Sequence, residues 1–333
     1  MTRAMAADAD VAPLDDASAD PRGEQTIRLS FRNGGFNVAP VVGGRDNTAF
    51  WRRMESGEWE PETQWLLERI IGPGVEFYDV GAWIGPTALF AAMKGARVVA
   101  FEPDPIAWEA LSATLALNPE LGEVAVRRYA LAAAPALATL FSGDLGNSES
   151  SLLAATQRRE GVISLPARAQ IECRSFAQEL ASISPDAVVK IDVEGAEFDI
   201  FDGGSPPPPA AVYLISTHAP NLVAEGHEES RRLRARKVNA FLDAFSDYHW
   251  HRLSRWGLLP LDQALYRTHC TRHSDRWDEL VFSRAPLPFS APKQRVDAAV
   301  LWASNHDYQP WRAMGGAMMG LRGFKRVSSP RAG

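Results

Sequence analysis

The feature that most constrains this chain is a glycine-containing turn between an apolar strand and a helix. Residues 75–80 form a nearly continuous apolar run, which is typical of a strand covered on both faces of a sheet. The run leads into DVGAWIG at 79–85, and Pro86 stands in the first turn of a predicted helix. Gly81 and Gly85 let the backbone turn tightly beside a ligand, and the helix start offers free N–H groups. The sequence therefore predicts a ligand-binding turn here.

The rest of the chain repeats this alternation of strands and helices. Further strands are predicted at 97–102, 124–129, 187–192, 211–216, 248–253 and 279–283, and helices at 86–94, 106–117, 196–201 and 228–245. Strands that alternate with helical crossovers indicate a parallel sheet with helices on both faces. The predicted fold is thus α/β, a doubly wound Rossmann-like sheet of seven strands with N-terminal and C-terminal extensions.

Composition and pattern divide the chain into four segments. Residues 1–25 are rich in Ala and Asp and are predicted to be a disordered leader. An N-terminal extension is expected at 26–74 and a C-terminal extension at 285–333. The sheet domain lies between them at 75–284, and it is interrupted at 137–176 by extended pieces around a polar loop.

Charge, cysteine spacing and hydropathy exclude several classes of function. The formal net charge is −6, whereas nucleic-acid binding needs a concentrated excess of Lys and Arg. Cys173 and Cys270 lack the spacing of a metal site or a disulfide framework. No apolar stretch approaches the roughly 20 residues of a membrane span, and residues 1–25 do not resemble a secretory signal. We expect a cytoplasmic protein with a small-molecule partner, and neither nucleic acid nor membrane.

A carboxylate follows the second strand of the predicted sheet. Glu102 stands 23 positions after Asp79, close to the interval of roughly 20 residues at which an acid reaches the ribose of a bound nucleotide. Glu102 is therefore the predicted ribose ligand. The glycine spacing is G-x-x-x-G instead of the G-x-G-x-x-G of dinucleotide sites, which weakly favours a cofactor other than a nicotinamide dinucleotide.

Four separated motifs together resemble one protein family. They are GEWEPET at 57–63, DVGAWIG at 79–85, AFEP at 100–103 and KIDVEGAE at 190–197. In this order they resemble the FkbM family of methyltransferases, and Ser150-Ser151-Leu152-Leu153 is similar to a further family feature. The resemblance implies the methyltransferase fold, with S-adenosylmethionine as the methyl donor.

The resemblance also implies roles for individual residues. Asp79, Gly81 and Gly85 are expected around the methionine part of the cofactor, Glu102 at its ribose and Asp192 beside the sulfonium. Near the adenine, Ala130 and Leu131 are expected. The full set of expected cofactor-binding residues is Asp79, Gly81, Ala82, Gly85, Glu102, Pro103, Ala130, Leu131 and Asp192.

Two positions depart from the family's pattern. Trp83 stands where the family usually has Asn in its glycine loop, so an aromatic wall is expected in place of a polar contact. Ser175-Phe176-Ala177 stands where a Leu-Asp pair usually follows the insertion. The second change affects either the acceptor pocket or a hydrogen bond of the scaffold.

Catalytic candidates follow the fourth and fifth predicted strands, where ligands bind in open α/β sheets. Methyl transfer to oxygen is an in-line displacement whose acceptor must be aligned and deprotonated. Asp192, Glu194 and His218 are the predicted catalytic residues, and an ordinary imidazole pKa of roughly 6.5 suits His218 as the base. If a helix starts at Glu194, Glu194 and Glu197 share one face and either raise each other's pKa or bind a divalent cation. Alternatively, Glu197 is an exposed acid that complements the helix dipole.

Three functions remain open at this point. The leading interpretation is O-methylation of a hydroxyl on a sugar or polyketide-like small molecule, the acceptor class that the resemblance most often implies. The second is N-methylation of an amine or amide, which needs less help from a base. The third is a non-catalytic protein that binds S-adenosylmethionine, suggested by Trp83 and the absent Leu-Asp pair. The sequence does not decide whether the protein binds a metal ion.

Overall fold

Strands and helices alternate along the chain, as the sequence predicts. The computed structural model describes residues 26–288, apart from 159–160, 202–205, 256 and 273–276. The predicted leader at 1–25 and the C-terminal extension from 289 onward lie outside the described residues. The strands are β1 (Ile27–Phe31), β2 (Gly34–Val38), β3 (Val41–Val42), β4 (Arg45–Asp46), β5 (Glu76–Val80), β6 (Arg97–Phe101), β7 (Val124–Arg127), β8 (Ala130–Ala132), β9 (Ala136–Phe141), β10 (Ala155–Arg158), β11 (Gly161–Ser164), β12 (Ala167–Ser175), β13 (Val188–Ile191), β14 (Val212–His218), β15 (His249–Ser254), β16 (Gly257–Pro260) and β17 (Trp277–Ser283). The helices are α1 (Thr48–Glu55), α2 (Pro61–Ile70), α3 (Pro86–Met93), α4 (Pro105–Ala116), α5 (Phe176–Glu179), α6 (Glu197–Ile200), α7 (His227–Ala244) and α8 (Gln263–Arg272). Within the described residues, no helix combines the length and apolar character that a bilayer span requires.

Eight strands form the central sheet, in the order β16-β15-β17-β14-β13-β5-β6-β7. The five from β14 to β7 run parallel, whereas β17, β15 and β16 join by antiparallel pairing. The chain moves outward from β5 to β7 on one side and from β13 to β14 on the other. The topological switch point therefore lies between β5 and β13, where ligands bind in such sheets at the carboxyl ends of the strands.

Alternate residues of the central strands enter two separate hydrophobic cores. In β13, Val188 packs into one core and Val189 into the other, and in β14 Leu214 and Ile215 divide in the same way. Successive side chains of a strand point to opposite faces of a sheet, so both faces are covered. Residues of α3 and α4 belong to the first core and residues of α7 to the second. The prediction of a doubly wound α/β sheet is confirmed.

All seven predicted strands belong to the sheet, and the structure adds an eighth, β16. This strand has four residues and pairs with β15 at the edge of the sheet. It ends in Pro260, a residue type that sheets tolerate at their edges and that makes such a short run resemble a turn. Helix α8 is also additional to the prediction, because its Thr, His and Cys residues have low helix propensity.

The N-terminal segment packs into the first core together with the sheet. Strands β1 and β2 form a hairpin, and Phe36 of β2 meets Trp51 of α1 edge to face, with ring centroids 6.3 Å apart. Both side chains are buried against the same core as Leu89 of α3. The link between α1 and α2 brings Trp59 and Glu60 to the carboxyl ends of the central strands.

The insertion predicted at 137–176 consists mostly of extended chain, as expected. Strand β12 pairs antiparallel with β9 and parallel with β8 in a three-stranded sheet, and β10 and β11 form a separate hairpin. The polar loop at 142–151 leaves this small sheet and reaches the start of α4, where Asp104 accepts hydrogen bonds from it.

Phe282 should contribute strongly to the stability of the second core. Its ring stacks on Phe245 with a centroid separation of 4.1 Å and is almost fully buried. We expect Phe282→Ala to lower the free energy of unfolding by about 3 to 5 kcal/mol, the usual range for a buried aromatic residue. Trp277→Ala on the same strand is the control, since Trp277 is 54% exposed and should cost about 1 kcal/mol or less. Urea unfolding measures the free energy of unfolding of both variants. Equal decreases in the two variants would contradict the placement of Phe282 in the core.

Candidate active site

The glycine turn lies at the switch point and is clamped from both sides. Gly81 directly follows β5 and has φ of +81°, and an added Cβ would collide with the carbonyl oxygen of Asp192 after β13. On the other side, the N–H groups of Gly81 and Ala82 donate to the carbonyl oxygen of Phe101, at 3.0 and 3.1 Å. A left-handed conformation in so little space requires glycine.

The carboxylate of Glu102 holds the next part of the turn. Its Oε2 accepts a hydrogen bond from the N–H of Trp83, and its Oε1 accepts one from the N–H of Asp104, both at 2.7 Å. Burial raises the pKa of Glu102 to about 8, although these two N–H groups oppose the rise. Each carboxylate oxygen has a further lone pair, so Glu102 can still accept hydrogen bonds from a diol.

A cleft, named here the glycine-turn cleft, opens at the carboxyl ends of β5, β6 and β13. Gly81, Glu102 and Asp192 give it a polar part. Its apolar lining consists of Phe101, Ala130, Leu131, Leu140 and Leu152. Polar groups that converge beside an apolar slot suit a ligand made of a sugar and a flat base.

The polar loop at 142–151 is fastened beside this cleft by Asp104 and Trp83. Asp104 caps α4, and its Oδ2 also accepts hydrogen bonds from the N–H of Gly146 at 2.8 Å and the hydroxyl of Ser150 at 2.9 Å. The indole N–H of Trp83 donates to the carbonyl oxygen of Gly146 at 2.9 Å. Trp83 thus supplies an aromatic wall and anchors the loop.

A second cavity of about 320 Å³ adjoins the cleft, and we name it the carboxylate cavity. Trp83, Asp192 and Glu194 line both spaces. Four carboxylates and three aromatic side chains form much of the cavity wall. These residues are Glu60, Asp192, Glu194, Glu279, Phe50, Trp59 and Trp83. The size is that of a small-molecule site.

A buried lysine stands between the ends of β5 and β13. The Nζ of Lys190 lies 3.2 Å from Oδ2 of Asp192 and 3.8 Å from Oδ1 of Asp79. Burial alone would lower the pKa of Lys190, but these carboxylates, together with Glu60 and Glu279, raise it above its usual range. Burial would likewise raise the pKa of Asp192, yet the charges of Lys190 and nearby His218 lower it. Lys190 and Asp192 are therefore a charged pair.

His218, the last residue of β14, lies among three carboxylates. Its Nε2 is 3.7 Å from Oδ1 of Asp192 and 3.6 Å from Oε1 of Glu194, and its Nδ1 is 3.5 Å from Oε1 of Glu197. Burial alone would lower the pKa of His218, but the carboxylates raise it to about 10. The imidazole therefore keeps its proton at neutral pH. The expectation of an ordinary imidazole pKa is wrong because three acids surround the ring.

Glu194 lies in a turn, not in a helix. It has φ of +52°, Gly195 has φ of +107°, and α6 begins only at Glu197. The carbonyl oxygen of Glu194 accepts hydrogen bonds from the hydroxyl of Ser151 and the amide of Asn221, and that amide also donates to the Glu194 carboxylate at 3.1 Å. Burial raises the pKa of Glu194 to about 7, while the charge of His218 opposes the rise. Glu194 can therefore exchange a proton near neutral pH.

Glu197 is fully buried and stabilises the turn at Glu194 and Gly195 by hydrogen bonds. Its carboxylate accepts hydrogen bonds from the N–H groups of Gly195 and His218. The two expectations for this residue, a helix face shared with Glu194 and an exposed acid, are both wrong. The left-handed turn at Gly195 separates the two glutamates and directs Glu197 inward.

The geometry around His218 would allow a metal ion, but two cations of the protein already lie there. Asp192, Glu194 and His218 each offer a ligand atom, and these atoms lie within 4.8 Å of one another. However, Lys190 already pairs with Asp192, and a protonated imidazole has no lone pair to donate to a metal. We therefore assign no metal to the three residues.

Comparison with known proteins identifies the family. The profile described as "Methyltransferase FkbM domain" matches residues 79–248, just over half of the chain. The chain belongs to the FkbM methyltransferase family. The description of the family is that of a methyltransferase, as the four motifs imply. The matched region contains both the glycine turn and the cluster around His218.

Individual relatives of this FkbM methyltransferase are more distant. "Methyltransferase sdnD" of Sordaria araneosa is 28% identical over 151 residues, which cover 38% of this chain and 58% of that protein, so the chain spans less than two thirds of its relative. A SAM-dependent methyltransferase from Agrobacterium tumefaciens and a putative O-methyltransferase from Klebsiella pneumoniae are each 11% identical, with TM-scores of 0.36. The matches cover 79% and 72% of this chain and 71% and 92% of those chains. Scores of this size carry no functional argument.

Most of the expected cofactor residues of this FkbM methyltransferase line the glycine-turn cleft. They are Gly81, Glu102, Pro103, Ala130, Leu131 and Asp192. Ala82 lines the carboxylate cavity instead. Asp79 lies beneath the turn, fully buried, and accepts a hydrogen bond from the hydroxyl of Thr87. Gly85 gives close packing, because an added Cβ would collide with the side chain of Leu111.

The expected catalytic residues Asp192, Glu194 and His218 meet at the carboxylate cavity, and three further residues join them there. Lys190 has a signal in the sequence, since a lysine inside an apolar strand needs a buried partner. Glu60 stands in the GEWEPET motif, which by itself does not place it near the strand ends, and Glu279 has no signal. They come from the N-terminal segment and from β17, and only the folded chain brings them together.

Gly81→Ala should weaken binding of S-adenosylhomocysteine, the demethylated product of the donor, by about tenfold or more. The reason is the collision of the new Cβ with the backbone of Asp192. Gly74→Ala is the matched control, because Gly74 has a similar φ of +80° but open space around an added Cβ. Gly74→Ala therefore has the cost of a left-handed alanine but no collision of the new Cβ with the backbone. Calorimetric titration of both folded variants compares the affinities, and equal losses would argue against a clamped turn.

Proposed function

We propose that the protein methylates a hydroxyl of a sugar or polyketide-like small molecule that binds in the carboxylate cavity. The observation that carries the proposal is the junction of cleft and cavity at Asp192 and Glu194, which line both. A methyl donor in the cleft and an acceptor in the cavity meet beside these two carboxylates. In-line displacement needs this kind of juxtaposition of two bound reactants.

The chemistry of the glycine-turn cleft fits S-adenosylmethionine. The backbone turn at Gly81 borders the methionine part, Glu102 accepts hydrogen bonds from the ribose, and Ala130 and Leu131 flank the adenine. When bound, the cofactor supplies an electrophilic methyl group on a sulfonium. Asp192, which stays ionised through its pairing with Lys190, places a negative charge beside that cationic centre.

Glu194 is the proposed proton acceptor for the acceptor hydroxyl. It lines the cavity, and a base works best when its pKa lies near the working pH, which holds for a carboxyl whose pKa is about 7. His218 keeps its own proton and acts as a cation that holds Asp192 and Glu194 in place. Removal of a proton is required for oxygen but not for a neutral amine, so a tuned carboxylate supports O-methylation.

Glu102→Gln should weaken binding of S-adenosylhomocysteine about tenfold or more. The substitution replaces one carboxyl oxygen, a proposed acceptor for the ribose, with an NH2 group that donates, and an unsatisfied buried hydrogen-bonding group costs about 1 to 3 kcal/mol. Glu120→Gln, at an exposed carboxylate, is the control and should bind normally. Calorimetry measures both affinities. Unchanged binding by a folded Glu102→Gln protein would remove Glu102 from the ribose site.

The pH dependence of turnover should identify the base. If Glu194 accepts the proton, turnover rises as its carboxyl ionises around a pKa of about 7. Glu194→Gln should remove this rise and lower turnover about 10²- to 10⁴-fold. His218→Gln removes the positive charge that lowers the pKa of Glu194, so the rise should move to higher pH.

The two variants discriminate between the candidate bases. Loss of the rise in His218→Gln, with the rise retained in Glu194→Gln, would return the role of base to the imidazole. Binding of S-adenosylhomocysteine, measured first, shows that both variants are folded.

The reaction itself is tested with methyl-labelled donor and a panel of hydroxylated sugars and polyketide-like compounds. Transfer of label to an oxygen, located by mass spectrometry and NMR, is the expected result. Label on nitrogen would exclude O-methylation as the reaction, and label on no compound despite normal donor binding would count against the proposed acceptor class.

A further inference from the structure

The acids of the carboxylate cavity fall into two groups with different surroundings. Asp192 and Glu194 lie next to the cations Lys190 and His218. Within the described part of the chain, neither Glu60 nor Glu279 forms an ion pair. The cavity's remaining cation, Arg53, is on the exposed side of α1. These two acids therefore have no cation of the described chain within ion-pairing distance, although both lie near enough to Lys190 to raise its pKa.

Glu60 and Glu279 also keep one oxygen each without a partner. Oε2 of Glu60 and Oε2 of Glu279 are shielded from solvent and form no hydrogen bond with the described residues. A buried acceptor without a partner costs about 1 to 3 kcal/mol, and more if charged. Buried polar groups are almost always satisfied in native proteins, and these two oxygens are acceptors available to a ligand that donates hydrogen bonds.

Aromatic rings line the same cavity as these acids. Phe50 lies at the centre of the wall, with its ring centroid 5.2 Å from that of Trp59 and 4.6 Å from that of Trp83, both at steep angles. The faces of such rings attract cations, most strongly those of Trp. Carboxylates together with indole rings form a surface that suits an alkylammonium group, whereas an anionic acceptor would be repelled.

The backbone at Glu60 is consistent with this role. Glu60 precedes Pro61 and has φ of +39° and ψ of +57°, a left-handed conformation that a non-glycine residue rarely adopts. Such conformations persist where the surrounding structure imposes them, and they cluster at ligand sites. Here the conformation accompanies a side chain that lines the cavity.

We propose that the acceptor carries a cationic amino group, bound by Glu60 and Glu279 against the Phe50, Trp59 and Trp83 wall. The inference rests on the proposed function, since it names the class of acceptor: a hydroxylated amine such as an amino sugar. The ammonium donates hydrogen bonds to the two free carboxylate oxygens. The hydroxyl to be methylated then lies toward Asp192 and Glu194. Burial raises the pKa of Glu60 to about 8, and the charges of Glu279 and Asp192 add to the rise. Burial and the charge of Asp192 raise the pKa of Glu279 to about 7. Binding of a cation should therefore release protons.

The test uses pairs of probes that differ only in an amine. Glucosamine is compared with glucose, and tyramine with its alcohol analogue tyrosol, by calorimetry at neutral pH on protein saturated with S-adenosylhomocysteine. We expect the amine of at least one pair to bind about tenfold more tightly than its neutral partner. Repeating the titration in buffers of different ionisation enthalpy should show proton release.

Substitutions of the two glutamates test whether the preference for the amine arises in the carboxylate cavity. Glu60→Gln and Glu279→Gln should each reduce the preference for the amine, while binding of S-adenosylhomocysteine stays normal. Glu58→Gln is the matched control, because Glu58 is an exposed carboxylate two positions away. It should leave the preference unchanged.

Several outcomes would overturn the inference. These are equal affinities within both pairs, no detectable binding of either amine at about 100 mM, and an unchanged preference in both Gln variants. Displacement of the amine by millimolar Mg²⁺ would assign the acids to a metal instead. Failure of the proposed reaction looks different: transfer of label to nitrogen would end the O-methylation proposal and leave the binding result intact.

Discussion

The architecture of this site depends on one buried cation, the ammonium of Lys190, between the carboxyl ends of β5 and β13. A charge at this depth carries a desolvation cost of several kcal/mol unless opposite charges surround it. Asp79 from one strand and Asp192 from the other provide that charge. The pairing joins the two strands where the winding of the sheet reverses. It also holds the Asp192 backbone against which Gly81 must turn.

From Lys190 outward, the charges alternate in sign. The cation of Lys190 faces the anion of Asp192, which faces the imidazolium of His218, which in turn faces Glu194 and Glu197. Each group shifts the proton affinity of its neighbours, as charges separated by a few ångströms in a buried site do. The arrangement explains how two acids two positions apart in the sequence, one below and one above its ordinary pKa, are available in the same cavity.

The sequence predicts the parts of the protein that follow from local pattern. Apolar runs with glycine and proline at their ends locate the strands of the parallel sheet, and the spacing from the glycine turn to Glu102 locates a polar group at the cleft. The sequence does not predict the features that depend on tertiary contacts. The charge state of His218 depends on three acids, two of them from another strand's loop, and no pattern around His218 shows them. Glu60 is remote in sequence from the cluster it joins. The hairpin of β1 and β2, whose strands flank Arg32 and Asn33, also does not follow from the pattern that locates the parallel sheet.

The indole of Trp83 forms a common wall between the glycine-turn cleft and the carboxylate cavity, and its N–H anchors Gly146. In the proposed function, donor and acceptor both contact this residue, and ligands that bias the same element of a protein are thermodynamically linked. If donor binding orders the Trp83 ring and its loop, the acceptor no longer has to supply the free energy for that ordering. The same argument applies when the acceptor binds first. In the proposed reaction, a residue that departs from the family's pattern would thereby link the binding of donor and acceptor.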